Sequence, residues 1–173
     1  MRECHQTANR QGVHAVIFSR LIVLSTEINN GGRVRLEFSH DHVAIRAADY
    51  AAAVAWYQEK LDFTLDQEWP FGDMQLAYLS NGTAKIEILG GSPAEPATPV
   101  DSLDGSLGAE RYHHVCMNVA DVDATLAELR TRGVEVLGDA IDLVAIDRRL
   151  GFFKDNNENV LELAAPLSRS EDR

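Results

Sequence analysis

The chain has 173 residues, 45% of them hydrophobic, which is enough for one ordinary domain or two small fused modules with a packed core. Its formal net charge of -11, from 27 acidic and 16 basic residues, opposes binding to nucleic acid or to an anionic membrane, because both attract an excess of Lys and Arg. A small-molecule partner is expected instead. Cys4 and Cys116 lie far apart and do not indicate a disulfide framework, which favours a reducing, cytoplasmic compartment.

Residues 1–37 form an N-terminal extension with one apolar stretch, Val13–Leu24. This stretch is shorter than the roughly 20 residues of a membrane span and is interrupted by a histidine and an arginine. An Asn-Gly-Gly turn at residues 30–32 allows it to pair with Arg33–Phe38 as a strand hairpin. The alternative is a poorly ordered leader.

Residues 38–90 follow the pattern of a strand, a helix and three strands, which we treat as the first module. Ser39–Ala47 alternates as a strand does, and Asp49 is placed to cap a helix of period 3.6. Trp69–Asp73 is expected to be a loop, and the dipeptide Asn81-Gly82 indicates a tight hairpin. The remaining strands are predicted at Phe63–Glu68, Met74–Ser80 and Thr83–Leu89.

Residues 91–109 are rich in proline and glycine and are predicted to be a linker without a helix. The second module, residues 110–166, repeats the plan of the first. Asp121 is placed to cap its helix and Gly133 to end it. Residues 167–173 are expected to fray. The strands of this module are predicted at Tyr112–Val119, Val134–Leu137, Leu150–Lys154 and Val160–Ala164, and residues 138–149 are left unassigned.

An internal repeat with an offset of 72 residues relates the two modules. It places His42 on His114 and Asp49 on Asp121, with matching apolar residues between them. Lys85–Leu89 and Val160–Ala164 also match, because each carries one glutamate between aliphatic residues. A repeat of this length indicates a duplicated supersecondary unit.

Strand alternation predicts that each module presents one histidine and one glutamate on the sheet face that its helix does not cover. The four residues are His42, Glu87, His114 and Glu162. Any one of them alone is more simply a hydrogen-bonded or solvated side chain, but their recurrence in both repeats favours a shared metal site. Nitrogen and oxygen ligands suit one divalent ion of zinc, nickel, cobalt, manganese or iron. His113 is predicted to point toward the core.

Four motifs carry a resemblance to a known family over about residues 38–165. They are His42-Val-Ala-Ile-Arg-Ala-Ala-Asp, Lys85-Ile-Glu-Ile-Leu, His114-Val-Cys-Met-Asn-Val-Ala-Asp and Phe153-Lys-Asp-Asn-Asn-Glu-Asn-Val-Leu-Glu-Leu. The chain resembles the vicinal oxygen chelate superfamily, which includes glyoxalase I, methylmalonyl-CoA epimerase, fosfomycin-modifying transferases, extradiol dioxygenases and bleomycin-resistance proteins. The resemblance implies an α+β fold of two tandem βαβββ modules that form an open eight-stranded half-barrel with a central metal groove.

The resemblance also assigns metal ligation to His42, Glu87, His114 and Glu162, a set similar to that of glyoxalase I. It implies a lyase or isomerase in which a divalent ion assists proton transfer next to a carbonyl. Glu162 is the preferred base and Glu87 its symmetric alternative. The candidates for binding substrate are Arg46, Lys85, Asn118 and Gln75; the last falls near the catalytic glutamate of the epimerases and cannot act as a base.

Two other functions stay open. One is a ferrous dioxygenase of the extradiol type, in which Glu87 would stay off the metal. The other is a non-catalytic module that binds a small molecule, as bleomycin-resistance proteins do. A homodimer is expected, and the metal site can form either within one chain or between two chains.

Overall fold

The computed structural model describes residues 36–91, 93–95, 97–108 and 110–168. The predictions for the N-terminal extension therefore fall almost entirely outside the described residues, apart from an exposed, irregular segment at residues 36–40. A compact unit begins at Asp41 and contains both modules. None of the described helices has the length and apolarity needed to cross a membrane.

The first module contains β1 (Val43–Ala47), α1 (Tyr50–Leu61), β2 (Thr64–Phe71), β3 (Met74–Asn81) and β4 (Ala84–Gly90). Its strands form a sheet in the order β1-β4-β3-β2, with β1 parallel to β4 and the other pairs antiparallel. Helix α1 begins after Asp49, whose carboxylate accepts a hydrogen bond from the Ala52 amide at 2.9 Å. The helix ends at Asp62, which has a left-handed backbone with φ of 55°.

The linker contains a one-turn helix, α2 (Leu103–Ser106). The second module contains β5 (His114–Asn118), α3 (Val122–Thr131), β6 (Ile141–Leu143), β7 (Arg148–Lys154) and β8 (Val160–Pro166), in the sheet order β5-β8-β7-β6. Asp121 caps α3 as Asp49 caps α1. The α+β class and the two tandem βαβββ modules are confirmed, and the eight strands form two open four-stranded sheets.

Three sequence predictions about local structure are wrong. The linker does contain a helix, because the Ser102 side chain accepts from the Gly105 amide and starts the α2 turn. Val134–Leu137 contributes only an isolated bridge from Val136 to β7, and β6 takes the outer position of the second sheet instead. Trp69 and Phe71 belong to β2 rather than to a loop, because their backbone pairs with β3 as far as Phe71.

The two helix-covered sheet faces form one hydrophobic core. Buried side chains from both helices and both sheets belong to a single cluster, so the modules are packed together through the faces that carry their helices. The largest fully buried apolar side chains of this core are Tyr57, Leu79 and Ile88 from the first module, and Val122, Leu126 and Phe153 from the second.

Polar contacts between the modules follow the internal repeat. Lys60, in the last turn of α1, donates to the carbonyl of Arg132 at 2.7 Å, and Arg132 donates to the carbonyl of Lys60 at 3.1 Å. These two residues are 72 positions apart, so the reciprocal pair lies where a pseudo-twofold axis between the modules is expected. The Tyr57 hydroxyl, within the core, donates to Asp155 at 2.8 Å and adds a buried contact between the modules.

Replacing Tyr57 by Phe tests this packing. The substitution removes one donor from the buried Asp155 carboxylate, and we expect the free energy of unfolding to fall by about 1–3 kcal/mol. Urea denaturation measures the change. Tyr112→Phe is the matched control, because Tyr112 is fully exposed and should lose almost nothing. An equal effect of both substitutions would contradict the buried contact.

Candidate metal centre

The strand registers place the predicted ligands on the faces opposite the shared core. In β4, Ile86 and Ile88 belong to the core, so Glu87 between them faces away from it. In β8, Leu161 and Leu163 belong to the core, so Glu162 faces away in the same manner. The histidines lie at the starts of β1 and β5, the edge strands that pair in parallel with β4 and β8.

The first half-site is the pair His42 and Glu87. The Nε2 atom of His42 lies 3.1 Å from Oε2 of Glu87. The Nδ1 atom lies 2.7 Å from the carboxylate of Asp41, which is also 3.3 Å from the Lys85 ammonium. Hydrogen bonds from His42 and then Lys85 hold the pKa of Asp41 below its usual value, so Asp41 is an anion at neutral pH.

An aromatic surface adjoins the first half-site. Tyr78, on β3, faces Glu87 across the sheet, and its ring centroid lies 5.2 Å from that of His42. The Trp69 ring follows at 4.7 Å from Tyr78, and the Lys85 ammonium lies 4.3 Å above the Tyr78 ring. This side of the sheet therefore offers flat aromatic faces and one cation to a ligand.

The second half-site is the pair His114 and Glu162. The Nε2 atom of His114 lies 2.6 Å from Oε2 of Glu162, whose side chain is 9% exposed. The Nδ1 atom lies 2.9 Å from Nδ1 of His113, and Nε2 of His113 lies 2.7 Å from the Ser106 hydroxyl. Burial, and then the neighbouring His114 and Arg111, lower the pKa of His113, which favours its neutral form at pH 7.

Cys116 is the free cysteine among the described residues, and it pairs with Glu162 across the sheet. Burial, followed by the charge of Glu162, raises the pKa of the Cys116 thiol to about 11. The thiol is therefore protonated at neutral pH in the metal-free protein. Each half-site presents an imidazole nitrogen and a carboxylate oxygen side by side.

The four predicted ligands form two pairs and not one cluster within the chain. Among residues 36–168, as far as the structure describes them, no group of three or more His, Cys, Asp or Glu side chains is arranged to hold a metal ion. The physical reason is the shared core: each pair lies on the far side of its own sheet from that core, so the sheets separate the pairs.

The predicted substrate-binding residues occupy different surroundings. Lys85 lies in the first half-site, and Asn118 ends β5 on the same face as His114. Arg46 donates to the backbone carbonyls of Ala47 and Leu89 at 2.8 and 2.7 Å, which joins its guanidinium to the ends of β1 and β4. Gln75 lies on the helix-covered side, within hydrogen-bonding reach of the Tyr50 hydroxyl.

Sequence reasoning missed Tyr78, Ser106 and the two residues that contact the histidine Nδ1 atoms. His113 does not join the core-facing residues as predicted, because it lies before the first residue of β5, where strand alternation does not apply. A signal was nevertheless present in the sequence. The offset of 72 that aligns His42 with His114 also aligns Asp41 with His113.

Residues 39–163 match the Glyoxalase/Bleomycin resistance protein/Dioxygenase superfamily. The chain belongs to this superfamily. It is 33% identical over 130 residues to the uncharacterized protein YaeR of Escherichia coli, covering 70% of this chain and 92% of YaeR. It is 28% identical over 128 residues to an ethylmalonyl-CoA/methylmalonyl-CoA epimerase of Cereibacter sphaeroides, covering 71% and 94%.

Solved structures agree with this assignment. A glyoxalase family protein from Enterococcus faecalis superposes with a TM-score of 0.57 and 27% identity, covering 73% of this chain and 97% of that protein. The superfamily resemblance predicted from the four motifs is therefore confirmed.

The Cys116 thiol provides a test of the second half-site in the metal-free protein. Because its pKa is raised to about 11, its alkylation rate should stay low at pH 8 and rise as the pH approaches that value. Glu162→Gln removes a negative charge beside the thiol and should lower its pKa, although burial keeps it above the usual value. The rates are measured in a Cys4→Ser background, with the exposed Glu59→Gln as control. A wild-type thiol that titrates at its usual pKa would contradict the geometry.

Proposed function

We propose that the protein is a metal-dependent enzyme of lyase or isomerase type, which transfers a proton next to a carbonyl group of a small substrate. The observation that carries the proposal is the pair of equivalent half-sites, each with a histidine Nε2 next to a glutamate Oε2, at 3.1 and 2.6 Å. A binding protein without a metal has no need for two shielded carboxylates, because burying them is unfavourable.

The donor set fits a divalent cation. Two imidazoles and two carboxylates match the nitrogen and oxygen ligands of zinc, nickel, cobalt, manganese or iron, and four protein ligands leave positions for substrate oxygens. Within each half-site the two donor atoms already lie side by side on a shielded sheet face, with Glu162 only 9% and Glu87 only 14% exposed.

We further propose that a second copy of the chain completes the site. His42 immediately precedes β1 and His114 is the first residue of β5, and both strands are edge strands of their sheets. If β1 of one copy lies along β5 of another, the first half-site of one chain meets the second half-site of its partner. A homodimer built about a twofold axis then contains two such sites. The shared intrachain core supports this arrangement, because it keeps the half-sites of one chain apart.

The residues of the chain then divide the chemical work. A divalent ion, when bound, supplies positive charge that stabilises the negative charge which develops on the substrate carbonyl as the proton leaves. Glu162 accepts the carbon-bound proton, and Glu87 occupies the equivalent position in the other module. His42 and His114 hold their ring nitrogens beside these carboxylates.

The first half-site favours a substrate with an anionic group or a flat surface. Lys85 provides an ammonium group, and Tyr78 and Trp69 provide contiguous aromatic faces beside it. The similarity to the epimerase supports the isomerase class. Gln75 cannot act as a base and lies on the helix-covered side, which supports the assignment of the proton acceptor to the glutamates of the half-sites. Glutathione hemithioacetals and 2-oxo thioesters are the first compounds to assay.

Metal content tests the proposal most directly. Protein purified without chelator or added metal should contain about one divalent ion per chain, because a dimer has two sites for two chains. Glu87→Gln and Glu162→Gln should each lose the ion and the activity, and the exposed Glu59→Gln should retain both. Iron in the wild type would favour the dioxygenase. No metal after soaking with nickel, zinc and manganese would overturn the proposal and leave a small-molecule binding module.

Subunit mixing tests whether the site is shared. A heterodimer of the Glu87→Gln and Glu162→Gln chains has one site with both substitutions and one with neither. Refolding an equal mixture should therefore restore about a quarter of the wild-type metal and activity, since half of the dimers are mixed and each has one intact site. A mixture that stays as empty as its components would show that the site forms within one chain.

A further inference from the structure

Each ligand histidine is contacted by the residue that precedes it in the chain. Asp41 Oδ2 lies 2.7 Å from Nδ1 of His42, and His113 Nδ1 lies 2.9 Å from Nδ1 of His114. The internal offset of 72 residues makes Asp41 and His113 equivalent positions. The same contact is therefore made twice with different chemistry, by a carboxylate in the first half-site and by an imidazole in the second.

Neighbouring side chains on a strand normally point to opposite faces and cannot touch in this way. The contact is possible because both positions lie outside the strands: β1 begins at Val43 and β5 begins at His114. The backbone before the strand is free of the pleat, so that the preceding side chain can turn back to the histidine ring.

The directions of the hydrogen bonds in the second half-site follow from Ser106. Its hydroxyl, in a residue that is 1% exposed, donates to the Leu103 carbonyl at 2.5 Å. Since a hydroxyl has one proton, the Ser106 oxygen must accept from Nε2–H of His113 at 2.7 Å. A histidine that binds a metal through Nε2 carries its proton on Nδ1, so Nδ1–H of His114 donates to Nδ1 of His113 at 2.9 Å.

These hydrogen-bond directions leave Nε2 as the ligand atom of His114. It is the ring nitrogen that lies beside Glu162, and donation of Nδ1–H to His113 leaves Nε2 with its lone pair. In the first half-site, Asp41 accepts Nδ1–H of His42 and leaves Nε2 toward Glu87. Lys85 holds the Asp41 carboxylate in place from its other side.

We propose that Asp41 and His113 are positioning residues, each of which accepts Nδ1–H of the following histidine and directs its Nε2 lone pair toward the neighbouring glutamate for metal binding. Ser106 on α2 orients His113 in turn, which gives the linker helix a role in the site. The inference rests on the proposed metal site. Partners of this kind orient the ring and strengthen a histidine ligand, and removing them usually weakens metal binding by about 10–100-fold.

Zinc binding to the full-length protein tests the proposal, with affinity measured by competition against a chromophoric chelator. His113→Leu should weaken zinc binding by about 10–100-fold. His113→Gln should restore most of that loss, because its amide oxygen can still accept a hydrogen bond. Tyr112→Leu is the control, since it changes an exposed neighbour of the same residue.

The first half-site has a matching series. Asp41→Leu removes the acceptor and should weaken zinc binding in the same range of about 10–100-fold. Asp41→Asn retains an acceptor oxygen without the charge, and its zinc affinity should lie between those of Asp41→Leu and the wild type. Asp73→Asn, which neutralises an exposed carboxylate in the turn between β2 and β3, is the control.

A spectroscopic measurement separates positioning from a general loss of structure. In ¹⁵N NMR of the zinc-loaded wild type, both histidines should show a zinc-bound Nε2 and a slowly exchanging Nδ1–H. His113→Leu should accelerate Nδ1–H exchange at His114 alone, and Asp41→Leu should do so at His42 alone. Melting temperatures show whether each variant is folded.

The outcomes distinguish this inference from the proposed function. A wild type that binds no zinc overturns both. The positioning role alone is overturned if the wild type binds zinc, the His113→Leu and Asp41→Leu variants bind zinc with the same affinity as the wild type, and Nδ1–H exchange at His114 and His42 is unchanged in them. The positioning role is also overturned if His113→Leu lowers the zinc affinity and His113→Gln lowers it equally. In that case a hydrogen-bond acceptor at residue 113 would not determine the affinity.

Discussion

The hydrophobic core shared by the two helix-covered sheet faces sets the position of every other feature. Burying α1 and α3 in one core turns the uncovered faces of the two sheets away from each other. The polar contacts at its margin, between Lys60 and Arg132 and between Tyr57 and Asp155, hold the modules in this arrangement. The two histidine-glutamate pairs then lie on separate outer faces, and for this reason the proposed metal site would be completed by a second chain.

Duplication explains why both faces carry the same kind of ligand pair, but the two half-sites are not chemically equal. The first has a carboxylate behind its histidine, with a lysine and aromatic rings beside it. The second has an imidazole behind its histidine, oriented by a hydroxyl from the linker helix. A site built from one first half-site and one second half-site is asymmetric. This asymmetry favours one orientation of a bound substrate, with its proton next to one of the two glutamates.

Much of the fold and of the ligand set follows from local physics that is visible in the sequence. The caps at Asp49 and Asp121 begin helices because a carboxylate satisfies free amides of the first turn. Period-2 alternation correctly placed Glu87 and Glu162 opposite the core. The same rule failed for His113, because this residue precedes its strand. The strand expected at Val134–Leu137 is also absent: Val136 makes only an isolated bridge to β7, and Ile141–Leu143 pairs with β7 as the outer strand instead.

The sequence by itself determined the repeat, the two βαβββ modules and the four residues with metal-ligand chemistry, because these depend on spacing along the chain. Only the tertiary structure decided that the modules share their helix-covered faces, which separates the ligands into two pairs. It also brought Ser106 to His113 and Tyr78 to His42, contacts that join residues of different elements. Such contacts depend on how the elements pack, and the spacing of residues along one strand or helix does not specify that packing.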